Sequence, residues 1–182
     1  MVWRSSSRSS TSASTAFEAP VSGPQYDDRL RDLEDKQAIA EVLYAYCASL
    51  DRMDLDALAS LFTADCVVDY GPEARLQSRG AERLRHDLAR MWRWARTSHH
   101  LSNVMVTLDG DGEHAGATSY VIAWHERPDG STATMMGQYQ DRLVREEGQW
   151  RISRRRQVLT GNDAGFDVNI NRFERISSPG QP

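Results

Sequence analysis

The hydrophobic pattern of this chain changes period once, and that change decides its fold class. Leu30, Leu33, Ile39, Val42, Leu43, Tyr46 and Leu50 recur at helical steps, which makes an amphipathic first helix ending near Asp51. Asp54 reads as the N-cap of a short second helix burying Leu58, Leu61 and Phe62. Cys66 to Tyr70 reads as a short strand, and Gly80 opens a third helix with Leu84, Leu88, Met91, Trp92 and Ala95 on one side. From Thr97 onward alternation takes over, with strands expected at 97–108, 114–127, 131–145 and 149–160, separated by DGDGE, PDG and REEGQ. Those breaks are hairpin turns. Long antiparallel strands need one face covered, and the three helices of the N-terminal half are the cover available. The expectation is an α+β domain, a curved mixed or antiparallel sheet wrapped around three helices, with a concave interior suited to a small molecule.

The flanks differ from this middle. Residues 1–26 are rich in Ser, Thr and Ala and poor in large aliphatics, so they cannot bury enough surface to offset their ordering entropy and are expected to be a disordered tail. The domain is expected over 27–160. Residues 161–182 read as an irregular extension in which Phe166, Val168, Ile170 and Phe173 can drape over a neighbouring surface.

Composition excludes several functions. With 22 basic against 26 acidic side chains, a formal charge of −4, there is no surplus cationic field to grip nucleic acid. No apolar run approaches the roughly 18 residues of a membrane span, and without a secretory apolar segment a cytoplasmic location is expected. Cys47 and Cys66 stand alone, without a CxxC pair or His-Cys spacing, and read as reduced core thiols. DGDGE, Asp109 to Glu113, lacks the full ligand spacing of a calcium loop, so no metal is expected.

Three blocks, AIAEVLYAYCASLDRMDLDALASLFTADCVVDY, SHHLSNVMVTLDGD and GQYQDRLVREEGQWRISRRR, together give residues 30–160 a pattern that resembles the SnoaL-like branch of the nuclear transport factor 2-like superfamily. The resemblance implies a cone-shaped half-barrel open at one end, a homodimer or homotrimer, and no cofactor. It implies kinship with dehydratases, polyketide cyclases, a dehydrochlorinase and the small subunits of ring-hydroxylating dioxygenases; the lyases among them use a His/Asp pair inside the cone. Matched residue by residue, the Tyr-x4-Asp pattern falls on Tyr46 and Asp51, the histidine opening the strand block on His99, four residues before Asn103, and the arginine four residues beyond Trp150 on Arg154.

Chemistry gives these matches content. Asp51 sits at a helix carboxyl end, where the macrodipole disfavours a carboxylate, so something else must hold it; it is either a solvated turn residue or the partner of a histidine. A carboxylate bonded to one ring nitrogen fixes the tautomer and leaves the other as a base. His99 and His100 point to opposite faces of a regular strand, and alternation alone does not choose between them; the mixed face of Leu101, Asn103 and Met105 suits His99. Tyr46 lies on the apolar stripe of the first helix, as packing or as a hydroxyl donor to a substrate oxygen. Arg154 continues the set Trp150 and Ile152, and an arginine facing inward must find an anion, although the run Arg154 to Arg156 equally suits a solvated face. Tyr120, Ile122 and Trp124 share one face of their strand and Met135, Gly137 and Tyr139 share one of the next, as sheet core or cavity lining. His125, Asp69 and Asp141 are further polar candidates without an orientation.

The function expected is that of a cofactor-independent lyase or isomerase, a dehydratase or cyclase. Its substrate would be hydrophobic and oxygenated, of polyketide, terpenoid or steroid type. His99, Asp51, Tyr46 and Arg154 would be catalytic, and Tyr120, Trp124, Tyr139 and Asn103 would contact the substrate. The rival is a non-catalytic ligand-binding or assembly subunit, such as an oxygenase small subunit. Epoxide hydrolysis would need a further carboxylate around an activated water, for which the sequence gives no support.

Overall fold

The computed structural model describes residues 23–174, and most of the Ser-rich stretch expected to be disordered lies outside them, as do residues 175–182. Helix α1 (Pro24–Arg52) is followed by α2 (Leu55–Ser60), strand β1 (Phe62–Asp69), a 3-10 turn (Ala74–Leu76), strand β2 (Gln77–Arg79) and α3 (Ala81–Leu88), which continues as a 3-10 turn over Ala89–Arg93. Four long strands complete the domain: β3 (Arg96–Leu108), β4 (His114–Glu126), β5 (Thr132–Glu146) and β6 (Gln149–Asn162). They form one open six-stranded sheet of order β2-β1-β6-β5-β4-β3, antiparallel except where β1 runs beside β6. The helices cover one face, so the architecture is mixed α+β with a half-wrapped helical layer.

The core joins α1 to that face through Ile39, Leu43, Tyr46, Cys47 and Leu50, packed with Phe62, Val121, Tyr139, Leu143 and Ile152. Burial on α1 begins only at Ile39: Leu30 and Leu33 are exposed, because the first turns of this long helix lie beyond the core. Trp92 is 65% exposed rather than part of the α3 stripe. The reason is the change at Ala89 from α to 3-10 winding, which shifts the angular phase of every later side chain. Cys47 and Cys66 are buried and free, and burial pushes their thiols up to about 12 and about 11, so both stay protonated.

Two irregularities in the sheet fix which side chains reach the interior. In β3 the pairing with β4 shifts between Ser102 and Met105, with Asn103 at φ 49°, a left-handed conformation that asparagine tolerates. In β6 the pairing with β5 shifts between Ile152 and Arg154. Each extra residue reverses inward and outward for the residues that follow it. Thus Thr97, His99 and Leu101 face the helices before the β3 irregularity and Val104, Val106 and Leu108 after it. On β6, Trp150 and Ile152 are followed inward by Arg155 and Gln157. Among the described residues no helix is long and apolar enough to cross a membrane.

Candidate active site

Asp51 lies in the last turn of α1, which stops at Met53, a left-handed cap whose N–H bonds back to Leu50 and Ser49 carbonyls. Asp54 then caps α2 by accepting from the Ala57 N–H at 3.1 Å. This tight exit leaves the Asp51 carboxylate against β3, the edge strand of the sheet. There the Thr97 hydroxyl donates to Oδ1 at 2.8 Å, the His99 backbone N–H donates to Oδ2 at 2.9 Å, and the His99 ring lies 2.6 Å from Oδ1 through Nδ1. An edge-strand N–H without a ladder partner thus finds one in a helix-terminal carboxylate. Burial pushes the Asp51 carboxyl up, but the hydrogen bonds and charge of His99, with the Thr97 hydroxyl, bring it below the usual range. An ionised Asp51 can only accept, so Nδ1 of His99 carries the proton in this contact and Nε2 is the ring nitrogen left over for other partners. His100 is exposed, with its ring bonded to the Ser98 hydroxyl at 2.8 Å.

The His99 ring lines a cavity of about 70 Å³ between α1, the inner face of the sheet, the 89–93 turn and the segment after β6. Its walls are mostly apolar: Leu50, Leu76, Leu88, Met91, Met135, Phe166, Val168 and Ile170. The volume is well below the roughly 300–1,000 Å³ of pockets that enclose a drug-sized ligand. Tyr46 and Tyr70 share the cavity and join through their hydroxyls at 2.6 Å. Burial raises the pKa of both, against the nearby Arg155 charge, so both are neutral donors.

His125 is the second imidazole of the cavity. Its ring stands edge-on to His99 with centroids 5.5 Å apart and packs against Trp94 and Phe166. Its Nδ1 lies 3.3 Å from the Ala133 carbonyl. Burial, then the proximity of His99 and of Arg93, push its pKa down to about 4, so it is neutral near pH 7. The unfolded ring binds a proton below about pH 6.5, which the folded one refuses until about 4. Stability therefore falls as pH drops through that window and is complete above it; the gap corresponds to about 3 kcal/mol. Urea unfolding at pH 4.5 and pH 7 checks this: His125→Phe should show less loss between the two pH values than the wild type, and an equal loss would place the acid sensitivity elsewhere.

The structure brings together Asp51, His99, Tyr46 and Tyr139, and separates the other four sequence candidates from them. Arg154 is exposed; the buried arginine is Arg155, moved inward by the β6 irregularity. It pairs with Asp141 through Nε and Nη2 at 2.8 and 2.9 Å, and its guanidinium carbon lies 4.0 Å from the Tyr46 ring centroid and 4.3 Å from that of Tyr139. Asn103 is exposed at the β3 irregularity. Tyr120 and Trp124 lie on the outer face of β4 with Ile122, which is 50% exposed. The inner face carries Ala115, Ala117, Ser119, Val121, Ala123 and His125. On β4 the inner stripe is the one with the smaller side chains, so bulk is a poor guide to which face of this strand is buried. His125 was legible from its parity with those alanines. No sequence signal pointed to Tyr70 or to the arginines Arg75, Arg90 and Arg93 at the cavity wall.

Comparison with known proteins agrees with this fold. The SnoaL-like domain signature matches residues 31–156. A structure from Novosphingobium aromaticivorans, provisionally named a scytalone dehydratase, is 28% identical with a TM-score of 0.75, covering 81% of this chain and 98% of its own. A second from that organism, provisionally named an aromatic ring hydroxylase, is 27% identical with a TM-score of 0.66, covering 72% of this chain and 93% of its own. A hexachlorocyclohexane dehydrochlorinase, at 17% identity, shares the fold with a TM-score of 0.66, covering 84% of this chain and 99% of its own. No curated protein matches the chain. A signature spanning most of the sequence, on a sheet whose helices enclose a histidine-bearing cavity, places this chain in the SnoaL-like family.

Proposed function

We propose that the protein is a cofactor-independent lyase that removes water from a compact β-hydroxy carbonyl compound, and that His99 is its base. The observation that carries this reading is the 2.6 Å contact between Asp51 and His99 at the wall of an apolar cavity. Asp51 holds the ring so that Nε2 takes the proton on the carbon next to the carbonyl. The C–H electron pair moves into an enolate whose oxygen accepts from the hydroxyl of the Tyr46–Tyr70 pair that is not donating to the other. The enolate then forms the C=C bond as the β C–O bond breaks, and the proton on Nε2 passes to the departing oxygen, which leaves as water. Proton and electrons balance without a cofactor. Arg155 touches none of the reacting atoms in this scheme; it fixes the rings of Tyr46 and Tyr139 from behind. Kinship with a protein provisionally named a scytalone dehydratase supports the same reaction class.

A cavity of this volume supports a small molecule, or the reactive end of a larger one, as the substrate. The test is a panel of one- and two-ring β-hydroxy ketones incubated with the protein and followed by ultraviolet absorption of the conjugated enone. At least one member should lose water, and the His99→Ala protein should leave it unchanged. Equal conversion by His99→Ala would remove the mechanism.

A further inference from the structure

The cavity of this net-negative chain is rimmed by positive charge. Arg75, Arg90 and Arg93 contribute to its wall, and Arg93 also forms, with Arg127, Trp94 and Asp167, a shallow depression beside it. Against these four guanidiniums stand two nearby carboxylates. Glu73 is taken by Arg75 at 2.7 Å, and Asp167 acts on Arg75 and Arg93 without an ion pair to either among the described residues. Asp87, the other acid on this side, is engaged by the Ser78 hydroxyl at 2.8 Å and by Arg83 at 3.0 Å. Arg90 donates only to the Asp87 backbone carbonyl, at 2.6 Å, and Arg93 has no hydrogen bond or ion pair among the described residues.

These guanidiniums are held, not waving. Arg90 lies over the Tyr70 ring at 5.6 Å, and Arg93 and Arg127 lie over the Trp94 ring at 5.0 and 4.8 Å. Stacking on a ring orients the planar fork and reduces the entropy lost when an oxyanion docks. Burial, then the charges of Arg90, Arg75 and Arg127, depress the pKa of Arg93, with Asp167 opposing them; an added anion would relieve that repulsion. Trp94 also lines the cavity, and its buried Nε1 has no partner among the described residues. A chain of formal charge −4 that gathers four arginines around its apolar cavity, three of them without an ion pair among the described residues, has a local field opposite to its overall one.

We propose that the cavity rim is a carboxylate site, so that the substrate is an anionic molecule whose carboxylate is held by Arg90 and Arg93 and whose apolar body points toward His99. The inference adds a substrate class to the lyase reading and takes the cavity as the binding site from it, but binding can be measured without turnover. Its probes are trans-cinnamate and trans-cinnamamide, alike in size and flatness and different in charge, titrated calorimetrically into the full chain in 20 mM and 300 mM sodium chloride. Cinnamate should bind at least tenfold more tightly than the amide at low salt, with the preference shrinking at high salt. Arg90→Gln/Arg93→Gln should abolish the preference, Arg90→Lys/Arg93→Lys should restore part of it, and His99→Ala should keep it. Melting curves confirm that each variant is folded. Equal affinity for the two probes, absence of cinnamate binding at millimolar concentration, or a preference that survives the double glutamine variant would overturn the proposal. The lyase reading fails by a different result, retained turnover in His99→Ala, which leaves the charge preference untouched.

Discussion

His99→Ala and Asp51→Asn should each lower kcat by about 10²- to 10⁴-fold on any substrate of this protein, with a circular-dichroism spectrum like that of the wild type. The two act by different routes. Alanine removes the proposed base itself. Asparagine leaves the ring in place but offers an amide of almost the same shape, so Nδ1 is no longer held by an ionised acceptor and the population with bare Nε2 falls. Asp51 also accepts from the Thr97 hydroxyl and the His99 N–H, and an amide oxygen can keep part of that anchoring. The kinetic loss in Asp51→Asn should therefore exceed the stability loss, and kcat should fall more than KM rises. A variant that melts far lower and retains kcat would make Asp51 a structural cap on the edge strand and nothing more.

Asp141→Ala should destabilise the domain by about 3–5 kcal/mol, the largest stability effect we expect of a single substitution outside the apolar core. The carboxylate and the Arg155 guanidinium form a two-bond ion pair with both side chains fully buried. Burial alone would lower the pKa of Arg155, but the Asp141 carboxylate holds it well above its ordinary value, so removing the acid strands a charge among Tyr46, Tyr139 and Phe62. Nη1 of Arg155 already lacks a partner among the described residues. The pair is costly to break and not necessarily stabilising to own: Asp141→Leu/Arg155→Met should lose much less than the sum of the single changes, because both desolvation penalties leave together. Denaturant unfolding of the four proteins measures the coupling. Additive losses would show that the two charges are solvated or independent.

The parts of this molecule that follow from periodicity were legible in its sequence. The switch after Ala95 from helical spacing to alternation located β3 to β6 to within a residue or two, because their turns carry Gly, Asp and Pro at fixed places. Asp51 and His99 lie 48 residues apart, and no local pattern links a helix end to a strand; their pairing followed from the family resemblance. Where local geometry interrupts a period, the reading failed. Arg154 was counted inward from Trp150, and the β6 irregularity hands that place to Arg155. Asn103 was counted inward from His99, and its own left-handed conformation is the interruption. Tyr120 and Trp124 mislead for another reason: a large apolar stripe suggests a core, yet the buried face of β4 carries alanines, a valine, a serine and His125.

Base catalysis at this site requires that Asp51 hold His99 with a proton on Nδ1 and a free Nε2 facing the cavity. Long-range ¹H–¹⁵N correlation of the ¹⁵N-labelled protein near neutral pH, with His99 assigned by comparison with His99→Ala, reads that state directly. We predict a pyrrole-type Nδ1 and a pyridine-type Nε2 for the neutral ring in the wild type, and loss of that tautomeric preference in Asp51→Asn. A protonated Nε2 with a bare Nδ1 in the neutral ring, or a spectrum indifferent to Asp51→Asn, would contradict the account.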